Sequence, residues 1–104
     1  MSMYYKLNED KTVVPASRED AMEIFNTHEQ RRVAATEHGA VKVSTVFLVL
    51  NHAYDEGPPM VFETMIFGGE HDQYQDRCST YAQALDMHKT ACKVAWPDGK
   101  PSCE

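Results

Sequence analysis

Four side chains of this 104-residue chain could coordinate a metal ion, since imidazole and carboxylate groups suit zinc or iron. They are His52, Glu63, His71 and Asp72. The run 59–67 is predicted to be a strand, with His52 before its start and His71 beyond its far end. About eight strand residues at roughly 3.3 Å each separate those ends by about 26 Å, which one metal ion cannot bridge. His71 and Asp72 could still pair with His38, but surface histidines are the better interpretation, and we predict no metal and no cofactor.

Glu63 is the charged residue within the apolar run MVFETMIF. A carboxylate among apolar neighbours either faces solvent or is buried together with a partner. The functional interpretation is a general base. We favour an ion pair with Arg31 or Arg32, which begin a predicted strand nearby, and we predict no catalytic residue and no enzyme.

The loop 51–59 is the predicted binding surface. Tyr54 lies there beside His52 and the pair Pro58-Pro59, and a tyrosine provides a large contact area at little cost in side-chain entropy. Two arginines are expected near the same end of the sheet. The candidate binding residues are Arg31, Arg32, His52, Tyr54, Asp55, Glu56 and Glu63. The alternative is a solvent-exposed loop tip with no binding role.

The hydrophobic pattern predicts a single α+β domain over 1–96 and a flexible C-terminal tail over 97–104. Two short β-prone runs on either side of a turn-forming segment predict an N-terminal β-hairpin. Ser17 then begins a helix, because Ser17 and Asp20 approximate a capping box. This helix is expected to end near Asn26 or Thr27, although a continuation through Arg31, Arg32 and Ala35 stays open.

Three runs with short connections between them predict a three-stranded antiparallel meander: 31–36, 41–51 and 59–67. The polar segment 68–78 is predicted to be an exposed loop. Thr80 then begins a long C-terminal helix whose apolar stripe contains Tyr81, Ala84, Leu85, His88, Ala91, Cys92 and Ala95. Both helices are expected on one face of the sheet. Since 41–51 has apolar residues on both sides, we predict a homodimer that covers the other face.

Charge and cysteine content narrow the function classes. A formal net charge of −6 and a pI near 5.3 argue against direct binding to a nucleic-acid backbone. No run approaches the roughly 20 apolar residues of a membrane span, and the start MSMYYKLNED is not a secretory signal. The spacing of Cys78, Cys92 and Cys103 fits neither a metal knuckle nor a disulfide framework, so reduced thiols in a cytoplasm are expected. The helix dipole could lower the pKa of Cys78, but the spacing implies no partner histidine.

Residues 31–69 resemble a widespread family of small, uncharacterised proteins encoded by tailed bacteriophages and prophages. The matching features are the RRVA–T start, the STVFL–L–H strand, the GPP loop and the FETM–FGG strand, followed by STYAQALDMHK in the C-terminal helix. The resemblance covers about two-thirds of the chain. The resemblance implies a phage or prophage origin and a bacterial cytoplasm, and it implies no activity.

Three function hypotheses follow. The first is a non-enzymatic phage accessory protein that binds a host or phage macromolecule, in an anti-defence or host-takeover role, through the loop 51–59. The second is a sponge that sequesters a small nucleotide signal in a dimer crevice. The third is a small enzyme that uses Glu63 or His71.

Overall fold

Two antiparallel sheets and three helices make up the computed structural model within residues 3–51 and 57–97, the part of the chain that it describes. The strands are β1 (Tyr5–Leu7), β2 (Val13–Pro15), β3 (Arg32–His38), β4 (Val41–Phe47), β5 (Phe62–Phe67) and β6 (Gln75–Cys78). The helices are α1 (Arg18–Phe25), α2 (His28–Arg31) and α3 (Tyr81–Ala95). The predicted α+β class is therefore confirmed. Most of the predicted tail lies outside the described residues.

The N-terminal hairpin and the first helix form as predicted. β1 and β2 pair antiparallel, with Tyr5 opposite Pro15. Ser17 caps α1, since its hydroxyl accepts a hydrogen bond from the backbone N–H of Asp20 at 3.1 Å. The helix ends at Phe25, and the short α2 follows it before the chain enters β3. The continuation of one helix into residues 32–35 is excluded, because they are strand.

The second sheet has four strands in the order β3-β4-β5-β6, so the predicted three-stranded meander gains a strand. The prediction of a loop over 68–78 is wrong at its end, where β6 pairs antiparallel with β5. The sequence QDRC lacks the apolar pattern that predicts a strand, because a partly exposed edge strand needs no apolar face. The turn before it is tight: the backbone N–H of Gly68 donates to the Asp72 carboxylate at 2.6 Å, and Gln73 N–H donates to the Ile66 carbonyl at 2.7 Å.

The predicted strand 41–51 ends early, at Phe47. Val49 has φ +72°, which a β-branched residue rarely adopts. This kink leaves both Leu48 and Val49 buried. The backbone carbonyl of Val49 accepts a hydrogen bond from Tyr5 N–H at 2.8 Å, so the chain after β4 connects the hairpin to the larger sheet.

α3 packs across one face of the four-stranded sheet. Thr80 and Gln83 form a complete capping box at its start, as predicted. The side chains beneath the helix are the buried residues of β4 and β5: Val43, Thr45, Phe47, Phe62, Thr64 and Ile66. We call the opposite side the open face, and its central residues are half-buried or exposed: Ser44, Val46, Glu63, Met65 and Phe67.

Two cysteines have different states. Cys92, buried in the cluster beneath the C-terminal half of α3, is disulfide-bonded, whereas Cys78 is free. The expectation of reduced thiols is therefore wrong at Cys92. Within the described residues, none of the helices is both long and apolar enough to cross a membrane.

Candidate functional site

A groove of about 680 Å³ lies between the N-terminal hairpin, the segment at Pro58-Pro59 and the start of α3. Its walls are largely apolar: Tyr5, Val13, Pro58, Pro59, Tyr81 and Leu85. Polar residues border it, namely Asp10, Lys11, Thr12, Ser79 and Thr80. An apolar centre inside a polar rim is the usual anatomy of a recognition surface.

The hairpin supplies one rim of the groove through a tight turn. Lys11 has φ +70°, and its backbone N–H donates to the Asn8 carbonyl at 2.9 Å. The Lys11 ammonium lies over the ring of Tyr81, 5.5 Å from the ring centroid. The hydroxyl and the backbone N–H of Thr12 donate to the Asp10 carboxylate and lower the pKa of Asp10. The turn therefore holds one cation and one anion beside the apolar wall.

The helix supplies the opposite wall. Tyr81 and Leu85 are four residues apart, so both side chains lie on the same side of α3. The ring of Tyr81 packs edge-on against Phe62, with 6.2 Å between the centroids, which fixes the tyrosine against the core. Leu85 is 38% exposed although it belongs to the predicted apolar stripe. An exposed leucine next to a fixed aromatic ring offers a preformed apolar contact.

Four predicted binding residues, His52, Tyr54, Asp55 and Glu56, lie outside the described residues. The second end of the same loop is described, and there Pro58 and Pro59 line the groove. The sequence argument identified the loop but missed the wall formed by α3. The capping-box position of Thr80 was the available signal, since it fixes where Tyr81 begins the helix.

The two arginines predicted to bind have different surroundings. Arg31 lies over the ring of Phe25, 4.6 Å from its centroid, and its Nε donates to the Phe47 carbonyl at 3.3 Å. These contacts give Arg31 a structural role. Arg32 is exposed and borders a smaller groove of about 410 Å³ together with Glu29.

Glu63 forms an ion pair, but not with either predicted arginine. Its Oε2 atom accepts a hydrogen bond from Arg77 Nε at 2.9 Å and one from Gln75 Nε2 at 2.5 Å. The partner lies on β6, directly opposite Glu63 on β5, and this strand was not predicted. With these two donors on one oxygen, the geometry favours a structural role for Glu63 over that of a general base.

A buried polar cluster connects α3 to the sheet. The side chain of His88 is 2% exposed. Its Nδ1 lies 2.7 Å from the Thr45 hydroxyl and its Nε2 lies 2.9 Å from the Thr36 hydroxyl. Thr45 in turn hydrogen-bonds Thr64. Burial lowers the pKa of His88, so the neutral imidazole is favoured. The apolar stripe predicted that His88 faces the core but not its threonine partners.

Two of the side chains considered for a metal site have other contacts. His38 packs edge-on against Trp96, with 6.5 Å between centroids, and Asp72 accepts the hydrogen bond of Gly68. Within residues 3–51 and 57–97, no three His, Cys, Asp or Glu side chains are grouped so that they could hold a metal ion.

No protein-family model matches the chain, and no similar curated protein or solved structure was found.

Proposed function

We propose that this protein is a non-enzymatic phage accessory protein that binds a host or phage macromolecule. The groove between Pro58-Pro59 and the start of α3 carries the proposal. Its volume of about 680 Å³ is large enough to receive an apolar or aromatic side chain of a partner protein together with its neighbours. Interfaces concentrate their binding energy in such anchors, which fill a preformed apolar pocket inside a polar rim.

An anti-defence or host-takeover role is the biological setting of the proposal. It is supported by the resemblance of residues 31–69 to a tailed-phage family and by analogy with other small phage proteins. The same resemblance supports action in the cytoplasm of a bacterial host. Two parts of the surface would act together: the loop 51–59 and the groove that its second end borders.

Affinity capture from an infected host lysate tests the proposal when it is combined with matched variants. Leu85→Lys places a charge in the apolar wall of the groove, whereas Met22→Lys places the same charge on α1, at a residue that is 49% exposed. We expect one specific partner to be retained by the native protein and by Met22→Lys, and lost with Leu85→Lys. Retention of the same partner by Leu85→Lys, or no specific partner with any form, would count against the groove.

A nucleotide-signal sponge is the second candidate, and the pairing of Lys11 with Tyr81 favours it. An aromatic face can stack a base and an ammonium can contact a phosphate. Native mass spectrometry after incubation with an extract of infected cells would reveal a retained nucleotide. Release of that ligand by Lys11→Gln would support the sponge over the macromolecule binder.

The proposal includes a homodimer. The open face of the sheet supports it, because apolar Val46, Met65 and Phe67 lie there beside charged residues while α3 covers the other face.

A further inference from the structure

We propose that the open face forms an isologous contact between two copies of the chain, with β4 of one copy over β5 of the other. This inference rests on the homodimer proposed above and adds its surface and its symmetry. The groove lies between the hairpin and α3, so the self-contact leaves it accessible.

The middle of the open face is uncharged and stepped. Residues paired across the strands form a row of Ala35, Ser44, Met65 and Gln75. The side chains of this row are small on β3 and β4 and large on β5 and β6, so the surface rises from one half of the row to the other. A two-fold axis parallel to the strands, passing between β4 and β5, places Met65 of each copy over Ser44 of the other. The large side chains of each copy then lie over the small side chains of the other copy at two symmetry-related places, as an isologous contact requires.

The two flanking rows carry charges of both signs. Glu37 lies opposite Lys42 at the turn end, and Glu63 lies opposite Arg77 at the other end. Arg32 lies in the second row as well, opposite Val46, so the two rows carry two acidic and three basic side chains although the chain as a whole has a net charge of −6. A second copy can approach a face of such mixed charge without the repulsion that the rest of the acidic surface would impose. Lys42 also lies beside Phe67, which is 45% exposed.

The size of the face sets the strength of the dimer. Four strands about 4.8 Å apart, which have seven, seven, six and four residues at roughly 3.3 Å each, give a projected area of about 400 Å². Stable interfaces bury about 800 Å² on each partner, and smaller ones belong to weak or transient complexes. We therefore infer a reversible dimer that forms in the micromolar range rather than an obligate one.

Sedimentation equilibrium over a concentration series, from low to several hundred micromolar, tests the contact. The native protein should shift from 11.8 kDa towards twice that mass as its concentration rises. Met65→Lys should weaken dimerisation at least tenfold, and Met22→Lys on α1 should leave it unchanged. A native protein that stays monomeric throughout, or a Met65→Lys variant that dimerises as the native protein does, would overturn the proposal.

Backbone amide NMR on dilution keeps the test decisive if Met65→Lys fails to fold. Ser44 and Met65 amides of the native protein should shift with concentration, while amides in the groove, such as that of Leu85, should not. Shifts confined to the groove would overturn the proposal. A monomeric protein that still loses its partner with Leu85→Lys would refute the dimer alone, and a dimer that captures no partner would refute the groove alone.

Discussion

The Nδ1 atom of His88 lies 2.7 Å from the Oγ1 atom of Thr45, inside the layer between α3 and the sheet. The Thr36 hydroxyl hydrogen-bonds the other ring nitrogen, Nε2. Both imidazole nitrogens therefore have a hydroxyl partner, and the two hydroxyls lie on different strands. A buried polar group with its partners in place fixes the position of the helix more specifically than apolar packing does. The burial of His88 also makes the free energy of unfolding depend on pH.

We predict that the free energy of unfolding decreases when the pH falls below the ordinary pKa of histidine. Burial lowers the pKa of His88 in the folded protein below 6.5, so the unfolded chain binds a proton first as the pH falls. The free energy of unfolding should be insensitive to this group above that value and should decrease below it, by up to about 1.4 kcal/mol per pH unit. Urea denaturation between neutral pH and about pH 5 measures this slope.

His88→Ala and His71→Ala form the matched pair for that measurement. His88→Ala should lower the free energy of unfolding at neutral pH by about 3 kcal/mol, because it leaves a cavity and deprives Thr36 of its partner. It should also remove most of the acid slope. His71→Ala changes an exposed histidine and should alter neither. An identical slope in native protein and His88→Ala would show that other groups cause the acid sensitivity.

The Glu63–Arg77 pair is expected to contribute modestly to stability. Both side chains are partly exposed, at 14% and 31%, so Glu63→Gln should lower the free energy of unfolding by roughly 1 kcal/mol. The difference should shrink in about 1 M NaCl, which screens a partly exposed pair. Urea denaturation of dilute protein at low and high salt checks this.

The same variant tests the enzyme hypothesis. A folded Glu63→Gln protein that keeps its full biological effect would remove the main support for catalysis. Loss of all effect from a protein whose fold and partner capture are intact would contradict a purely structural Glu63.

Cys78 should react slowly with alkylating agents. Burial raises the pKa of its thiol from 9.0 to about 11, with a smaller contribution from Asp76. This is opposite to the lowering expected from a helix dipole. The thiolate fraction at neutral pH should be about 100-fold lower than for an unperturbed thiol, and alkylation should be slower to match. Iodoacetamide labelling of folded and urea-unfolded protein compares the two rates. Equal rates in both states would show that Cys78 is not shielded.

Replacing Gly68 tests how closely the turn before β6 packs against Ala40, and Gly39, between β3 and β4, provides the control. Gly68 has φ +86°, and a Cβ atom there would collide with the Ala40 carbonyl oxygen. Gly39 has φ +63° with nothing within 4 Å of a Cβ atom. Gly68→Ala should therefore lower the free energy of unfolding by more than about 2 kcal/mol, and Gly39→Ala by about 1 kcal/mol. Thermal denaturation of both variants provides the comparison. Equal costs would mean that the turn relaxes away from Ala40.

Local patterns predicted most elements but not the contacts among them. Ser17 and Thr80 marked the starts of α1 and α3, because capping depends on residues only three positions apart. β6 was missed, since an edge strand takes its register from β5 rather than from its own residues. The ion partner of Glu63 was missed for the same reason, because Arg77 lies on that strand.

The groove was beyond local patterns as well. It forms where the hairpin turn meets the start of α3, two segments about 70 residues apart in the chain that pack on the same core cluster. No sequence motif links Lys11 to Tyr81, so their contact could not be predicted from local patterns. The loop prediction located one border of the site, and tertiary packing supplied the rest.

Site-specific photo-crosslinking at position 85 tests the central claim most directly. A photoreactive phenylalanine analogue would replace Leu85 in the groove and, as a control, Met22 on α1. Illumination of infected cells, followed by denaturing purification and mass spectrometry, identifies whatever contacts each position. We predict one dominant crosslinked macromolecule from position 85 that is absent from position 22. The same diffuse set of products from both positions would contradict a binding groove at this site.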